Sequence, residues 1–169
     1  MQENFEIKNR VAESRLVNFD LTDLIPKGER KGIDLKDFLF QGLVLREKEF
    51  RDKVAEIDTD VFRDAFVYVY NSADAIVPLW AYFLVAAKLS GEAKKVVYGS
   101  RYDLENLLLH DALNEYDFSV LQEKRVLVKG CTNEIIPENA YMELVQKLKP
   151  VVKSLMFGEA CSNVPVFKN

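Results

Sequence analysis

Apolar residues recur along this chain at two alternating spacings, which predicts helices and strands in turn. Helical spacing links Phe50, Val54 and Ile57, and it returns later at Leu104, Leu107, Leu108 and Leu113. Short runs of β-branched and aromatic residues predict strands at 66–70, 95–98, 125–129 and 154–157. Pro78 and Pro137 stand where further helices begin. Because strands separated by helices pair in parallel, the pattern predicts an α/β fold with a mainly parallel sheet.

The same pattern occurs twice, 59 residues apart. Residues 52–99 align without a gap with residues 111–158, and 14 of the 48 pairs are identical, where composition alone would give about three. Two right-handed units can share one sheet in the strand order 1-2-3-4 or 2-1-3-4. We favour the second order, which relates the repeats by a pseudo-twofold axis and puts helices on both faces. Residues 1–169 are thus expected to form one domain, with residues 1–51 as an N-terminal extension packing on the first repeat.

The helix after Pro78 is apolar all round, whereas the helix after Pro137 has a polar face. A helix that is apolar all round needs a cover on its second face. The residues concerned are Leu79, Trp80, Phe83 and Leu84. Either the N-terminal extension packs over them, or they form a homodimer or partner interface, since exposed apolar patches mark association.

Composition narrows the function classes. A net charge of −4 with scattered basic residues disfavours a nucleic-acid partner. The longest uncharged run, 75–87, is too short to cross a membrane, and no signal peptide is visible. Two cysteines in 169 residues do not make a disulfide framework. We therefore expect a reduced, cytoplasmic protein.

The order 2-1-3-4 predicts a crevice between loops 71–77 and 130–136, where strand order reverses. Cys131 lies close before a helix, which favours its thiolate, and Cys161 follows the last strand. Two thiols at one edge suit a metal or cluster site, a redox pair, or a nucleophile with a helper; they can also be two unlinked cysteines. A metal would need further ligands such as Asp74 or Glu134.

Ser72, Thr132 and Arg101 suggest instead a small-anion site near two helix N-termini. His110, the single histidine, is expected on a solvated helix face. No catalytic motif is present, so enzyme activity stays open.

Several segments carry a resemblance to a known family. They are Asn71-Ser-Ala-Asp-Ala-Ile-Val-Pro-Leu-Trp-Ala-Tyr82, Lys129-Gly-Cys131 and Gly158-Glu-Ala-Cys-Ser-Asn-Val-Pro-Val-Phe-Lys168, with residues 9–14 and 41–48 also similar. On these the chain resembles a bacterial family of unknown function whose members are encoded beside iron–sulfur assembly genes. The resemblance implies a metal ion or iron–sulfur cluster as cofactor and a protein partner in cluster assembly. Some members carry a cysteine at the position of Asn71, a third thiol that this chain lacks.

Overall fold

The structure, a computed structural model, describes residues 16–130, 132–159 and 161–169. Its strands are β1 (Leu16–Phe19), β2 (Arg30–Asp34), β3 (Phe66–Tyr70), β4 (Lys95–Tyr98), β5 (Arg125–Val128), β6 (Ser154–Glu159) and β7 (Ser162–Lys168). Its α-helices are α1 (Glu47–Ala55), α2 (Leu79–Leu89), α3 (Arg101–Glu115) and α4 (Glu138–Leu148). The predicted α/β class is confirmed. No helix in the described ranges is long and apolar enough to cross a membrane.

The order of elements recurs at the spacing of the sequence repeat. The short 3-10 helix Thr59–Phe62 is followed by β3, α2 and β4, and the 3-10 helix Phe118–Leu121 by β5, α4 and β6. Each element of the second series begins 59 residues after its counterpart. The left-handed backbone positions also match, since Asp64 and Glu123 both have positive φ, as do Gly99 and Gly158.

The chain divides into two compact units, each with its own sheet. The three-stranded unit, residues Pro26–Leu109, has the strand order β2-β3-β4. The four-stranded unit comprises the described residues up to Ile25 and those from His110 onward, and its order is β1-β5-β6-β7. All described strand pairs are parallel except β6 with β7.

The predicted strand order 2-1-3-4 in one shared sheet is wrong. That order requires β3 beside β5, but β3 pairs with β2 and β4, while β5 pairs with β1 and β6. The N-terminal extension supplies one strand to each sheet. Strand β2 lies beside β3, where β5 was expected, and strand β1 lies beside β5, where β3 was expected. The predicted crevice between loops 71–77 and 130–136 depended on that order, and these loops follow strands of different sheets.

In the three-stranded unit, helices lie on both faces of the sheet. Val67 and Val69 of β3 pack in one cluster with buried residues of α1 and α2, among them Phe50 and Val85. Phe66 and Tyr68, which alternate with them, pack with Leu104 and Leu108 of α3. The alternation follows from the two-residue period of a strand.

The four-stranded unit has a buried central strand. Val126, Leu127 and Val128 of β5 are all buried, as expected for a strand covered on both faces. Helix α4 buries Ala140, Leu144 and Leu148, which recur at intervals of four residues. This matches the amphipathic pattern of its sequence.

Candidate functional site

A cavity of about 410 Å³ lies at the carboxyl edge of the three-stranded sheet. Its walls are the ends of β3 and β4, the loop after β3, the first turns of α2 and the turn before α3. The side chains that matter for its chemistry are Tyr70, Asn71, Tyr82, Tyr98 and Ser100. Parallel α/β sheets commonly bind ligands at this edge.

Hydrogen bonds of Asn71 close the loop that forms one wall. Its Oδ1 accepts from the backbone N–H of Ala73 at 3.0 Å, and its Nδ2 donates to the carbonyls of Ala73 and Ala75 at 3.2 and 3.0 Å. An asparagine that bonds its own following backbone is typical of tight loops. The side-chain amide of Asn71 therefore shapes the cavity.

The opposite wall is fixed where α3 begins. The backbone N–H and hydroxyl of Ser100 donate to Asp103 Oδ2 at 2.7 and 2.6 Å, and the N–H of Asp103 donates to Ser100 Oγ at 3.3 Å. These bonds form a capping box. The Ser100 hydroxyl bond lowers the pKa of Asp103 from its ordinary value. Gly99 has a φ of 122°, and a Cβ there would stand 2.6 Å from the Asp103 carboxylate, so the turn requires glycine.

Three tyrosines line the cavity. Tyr82 of α2 meets Tyr98 of β4 edge to face, with centroids 4.8 Å apart, and Tyr70 stacks on Tyr68 at 5.7 Å. Burial raises the pKa of Tyr82, and neighbouring Tyr98 and the Asp34 carboxylate raise it further. Burial likewise raises the pKa of Tyr70, with Asp34 adding to it. The phenols of Tyr70 and Tyr82 therefore stay neutral across the physiological range.

Asp34 ends β2 and joins it to the loop after β3. Its carboxylate accepts hydrogen bonds from the hydroxyl and the backbone N–H of Ser72 and from the N–H of Lys36. Asp34 is also the N-cap of a short 3-10 helix, Leu35–Phe38. Burial of the Asp34 carboxyl opposes ionisation, but the bonds from Ser72 and Lys36 outweigh it and lower the pKa.

Asp20 occupies the matching place in the four-stranded sheet. It follows β1 and accepts from the hydroxyl of Thr22 at 2.7 Å and its N–H at 3.0 Å. Lys129 Nζ, beyond the end of β5, lies 3.0 Å from Asp20 Oδ2. The Thr22 hydroxyl bond lowers the pKa of Asp20; burial opposes that shift, and the bond from Lys129 adds to it. The bond to Asp20 raises the pKa of Lys129.

Sequence reasoning missed the correspondence between Asp20 and Asp34, although a signal for it exists. Phe19-Asp-Leu-Thr-Asp-Leu24 and Ile33-Asp-Leu-Lys-Asp-Phe38 share the same pattern of apolar and acidic residues. Register confirms the match, because Phe19 lies opposite Val128 and Ile33 lies opposite Val69, the residue 59 positions earlier.

The candidate thiol and metal residues are not brought together in the described part of the chain. Cys131 lies outside the described residues. Cys161 is an exposed free thiol at the turn between β6 and β7. Asp74 in the three-stranded unit and Glu134 in the four-stranded unit are both exposed. Within the described ranges, no group of three His, Cys, Asp or Glu side chains is placed to hold a metal ion.

The candidate anion-binding residues have internal partners. The Ser72 hydroxyl donates to Asp34, and Thr132 Oγ1 accepts from the N–H of Glu134 at 3.0 Å. Arg101 Nε lies 3.7 Å from the buried Glu105, which Arg30 also binds through two nitrogens. The anion site stays a prediction.

His110 has a half-exposed side chain, 2.8 Å from Glu143 and 3.0 Å from Asn114. It is therefore part of a polar surface network.

The predicted interface on α2 divides into two sides. Trp80 and Leu84 pack against the core, and the Trp80 ring meets Phe50 of α1 edge to face at 5.7 Å. Leu79 and Phe83 are 60% and 65% exposed. Only Leu79 and Phe83 of the four predicted residues thus present most of their surface to solvent.

The two sheets differ in how the strand after the crossover helix is flanked. In the four-stranded unit, β7 pairs antiparallel with β6, and Val164 lies opposite Phe157. An apolar groove of about 480 Å³ runs between β7 and α4, lined in part by Glu138, Met142 and Val164. In the three-stranded unit, β4 is an edge strand among the described strands. Tyr98, the counterpart of Phe157, is 69% exposed against 40% for Phe157.

Comparison with known proteins assigns a family but no activity. The model of a family described as a protein of unknown function, DUF2480, matches residues 5–169. No curated protein and no solved structure matches the chain. The resemblance to a family of unknown function is confirmed, while its association with iron–sulfur assembly stays a prediction.

Proposed function

We propose that this chain, which belongs to the DUF2480 family of proteins of unknown function, is a non-catalytic interaction module that pairs with a second copy of itself. The pairing surface, called the β4 face below, consists of strand β4 with Leu79 and Phe83 of α2. The observation that carries the proposal is the contrast between β6, which has an antiparallel neighbour, and β4, which has none in the described residues.

The four-stranded unit indicates which side chains an added strand would meet. There β7 lies beside β6 and forms a groove with Glu138 and Met142 of α4. The residues 59 positions earlier are Leu79 and Phe83. A strand added beside β4 in the same way would therefore cover two large apolar side chains that are now exposed. Full burial of such a side chain contributes about 1.5–3 kcal/mol, which supports association.

A second copy suits this edge because antiparallel pairing of a strand with itself is self-complementary. Such a contact forms a closed twofold dimer, the commonest oligomer of soluble proteins. The edge strand β7 carries Pro165 and a bulge beside it, features that block the addition of strands. Neither a proline nor a bulge occurs in β4, Lys-Val-Val-Tyr.

Sedimentation velocity tests the proposal with a matched pair of variants. Wild-type protein is expected to sediment as a particle of twice 19.4 kDa, and Phe83→Glu as a monomer with an unchanged circular dichroism spectrum. Met142→Glu is the control, because Met142 is the counterpart of Phe83 and is 58% exposed. It should leave the dimer intact. A wild-type monomer, or a Phe83→Glu protein that still dimerises, would contradict the proposal.

A thiol or metal role at Cys131 and Cys161 is a second proposal. It is supported by the exposure of Cys161 at the carboxyl end of β6 and by the predicted link to iron–sulfur assembly. Anaerobic purification followed by iron, zinc and sulfide analysis tests it. Metal that is present in wild type and lost in both Cys131→Ser and Cys161→Ser would support the role; metal-free wild-type protein would exclude it.

A further inference from the structure

We propose that the cavity bounded by Tyr70, Tyr82 and Tyr98 binds a small organic cation, a molecule carrying an ammonium group. This goes beyond self-association, because the cavity lies past the carboxyl ends of β3 and β4 and shares only Tyr98 with the β4 face.

Aromatic rings supply the first part of the argument. Tyr82 and Tyr98 meet edge to face, so they form a corner of two rings at one side of the cavity, and Tyr70 lies at the end of the neighbouring strand. Ring faces attract ammonium groups through their quadrupole, and aromatic corners are a common way to bind them. A volume of about 410 Å³ is within the range of small-molecule sites.

The electrostatic surroundings favour a cation over an anion. The Asp34 carboxylate acts on both Tyr70 and Tyr82, and Asp37 acts on Tyr70. Among the described residues that line the cavity, none is lysine or arginine. A carboxylate or phosphate would find no lysine or arginine among these lining residues to pair with, whereas an ammonium group would meet the ring faces and the field of Asp34.

The four-stranded unit shows an ammonium at the matching place. There Asp20 is the counterpart of Asp34, and Lys129, the residue 59 positions after Tyr70, holds its Nζ 3.0 Å from the Asp20 carboxylate. In the three-stranded unit the strand ends in Tyr70, which carries no charge. We infer that a ligand ammonium takes, beside Tyr70, the role that the Lys129 side chain has beside Asp20.

Titration with matched probes tests the proposal. Choline and 1,4-diaminobutane serve as cations, and 3,3-dimethylbutan-1-ol, the neutral isostere of choline, as the control. Protein NMR should show saturable shifts of the Tyr70, Tyr82 and Tyr98 rings with at least one cation. The neutral isostere should bind more weakly, by a factor of about ten or more.

Substitutions at Tyr98 separate ring chemistry from shape. Tyr98 is mostly exposed, so both variants should fold, which circular dichroism verifies. Tyr98→Phe keeps a ring face and should bind the cation nearly as wild type does, whereas Tyr98→Leu should bind about fivefold more weakly. The same titrations in Phe83→Glu show whether binding is independent of self-association. No saturable shift with either cation, equal binding of the neutral isostere, or equal binding by Tyr98→Leu would overturn the proposal.

Discussion

The rings of Tyr82 and Tyr98 meet edge to face at 4.8 Å, and those of Tyr141 and Phe157, 59 residues later, meet in the same way at 5.7 Å. Each contact joins a crossover helix to the strand that follows it. In the second pair the strand continues into the hairpin with β7, and in the first it lies at the edge of the sheet as far as the structure describes the chain. The proposed self-association follows from this difference between otherwise matching contacts.

The core of the three-stranded unit should depend strongly on Phe50. This side chain is fully buried and contacts Trp80, so Phe50→Ala removes a large apolar group and leaves a cavity. We expect a loss of about 3–5 kcal/mol in the free energy of unfolding. Urea unfolding followed by fluorescence measures it, because Trp80 is the only tryptophan. Val61→Ala, at an exposed position, should change stability by less than about 0.5 kcal/mol; equal losses would contradict the described packing.

Asp20 should stabilise the protein in a pH-dependent way. Its pKa is lowered in the folded state, chiefly by the Thr22 hydroxyl and further by Lys129, so its contribution is complete above its unfolded pKa near 3.8. That contribution is lost as pH falls through the lower folded value. Asp20→Asn should cost about 1 kcal/mol at neutral pH and less in acid. Asp23→Asn, at an exposed position in the 3-10 helix Leu21–Leu24 that Asp20 caps, is the control. A cost of Asp20→Asn that does not decline in acid would refute this assignment.

Gly158 and Gly91 should respond differently to alanine. Both have positive φ, but a Cβ on Gly158 would stand 2.5 Å from the carbonyl oxygen of Ser162, whereas a Cβ on Gly91 would meet nothing within 4 Å. Gly91→Ala should cost about 1–2 kcal/mol from backbone strain alone. Gly158→Ala should cost more, because the β6–β7 hairpin must also shift. Thermal unfolding of both variants measures the difference, and equal costs would show that the hairpin is looser than described.

The local pattern predicted the central strands of both repeats, because Val67 and Val69, and Val126 and Val128, follow strand periodicity. It did not predict β2, since Arg30-Lys-Gly-Ile-Asp34 contains one large apolar residue. The glycine of β2 is explained by a residue distant in sequence, because a Cβ on Gly32 would stand 2.7 Å from the ring of Tyr68. Strand order was therefore predicted without β2, one of the strands that decide it.

The candidate site was predictable only in part. The carboxyl edge of the sheet was the expected place, and the loop after Tyr70 forms one of its walls. The pair of Asp20 and Lys129, 109 positions apart, depends on β1 pairing with β5, which no local spacing indicates. An apolar helix likewise does not indicate which side faces inward, so Trp80 and Phe83 could not be distinguished.

Hydrogen exchange at β4 tests the central proposal most directly. At concentrations where wild-type protein is dimeric, those amides of Lys95–Tyr98 that do not bond to β3 should exchange more slowly than in Phe83→Glu, because a second copy pairs with them. The amides of Ser154–Glu159 should exchange equally in both proteins, since β7 of the same chain flanks that strand. Equal exchange of Lys95–Tyr98 in wild type and Phe83→Glu would contradict pairing through β4.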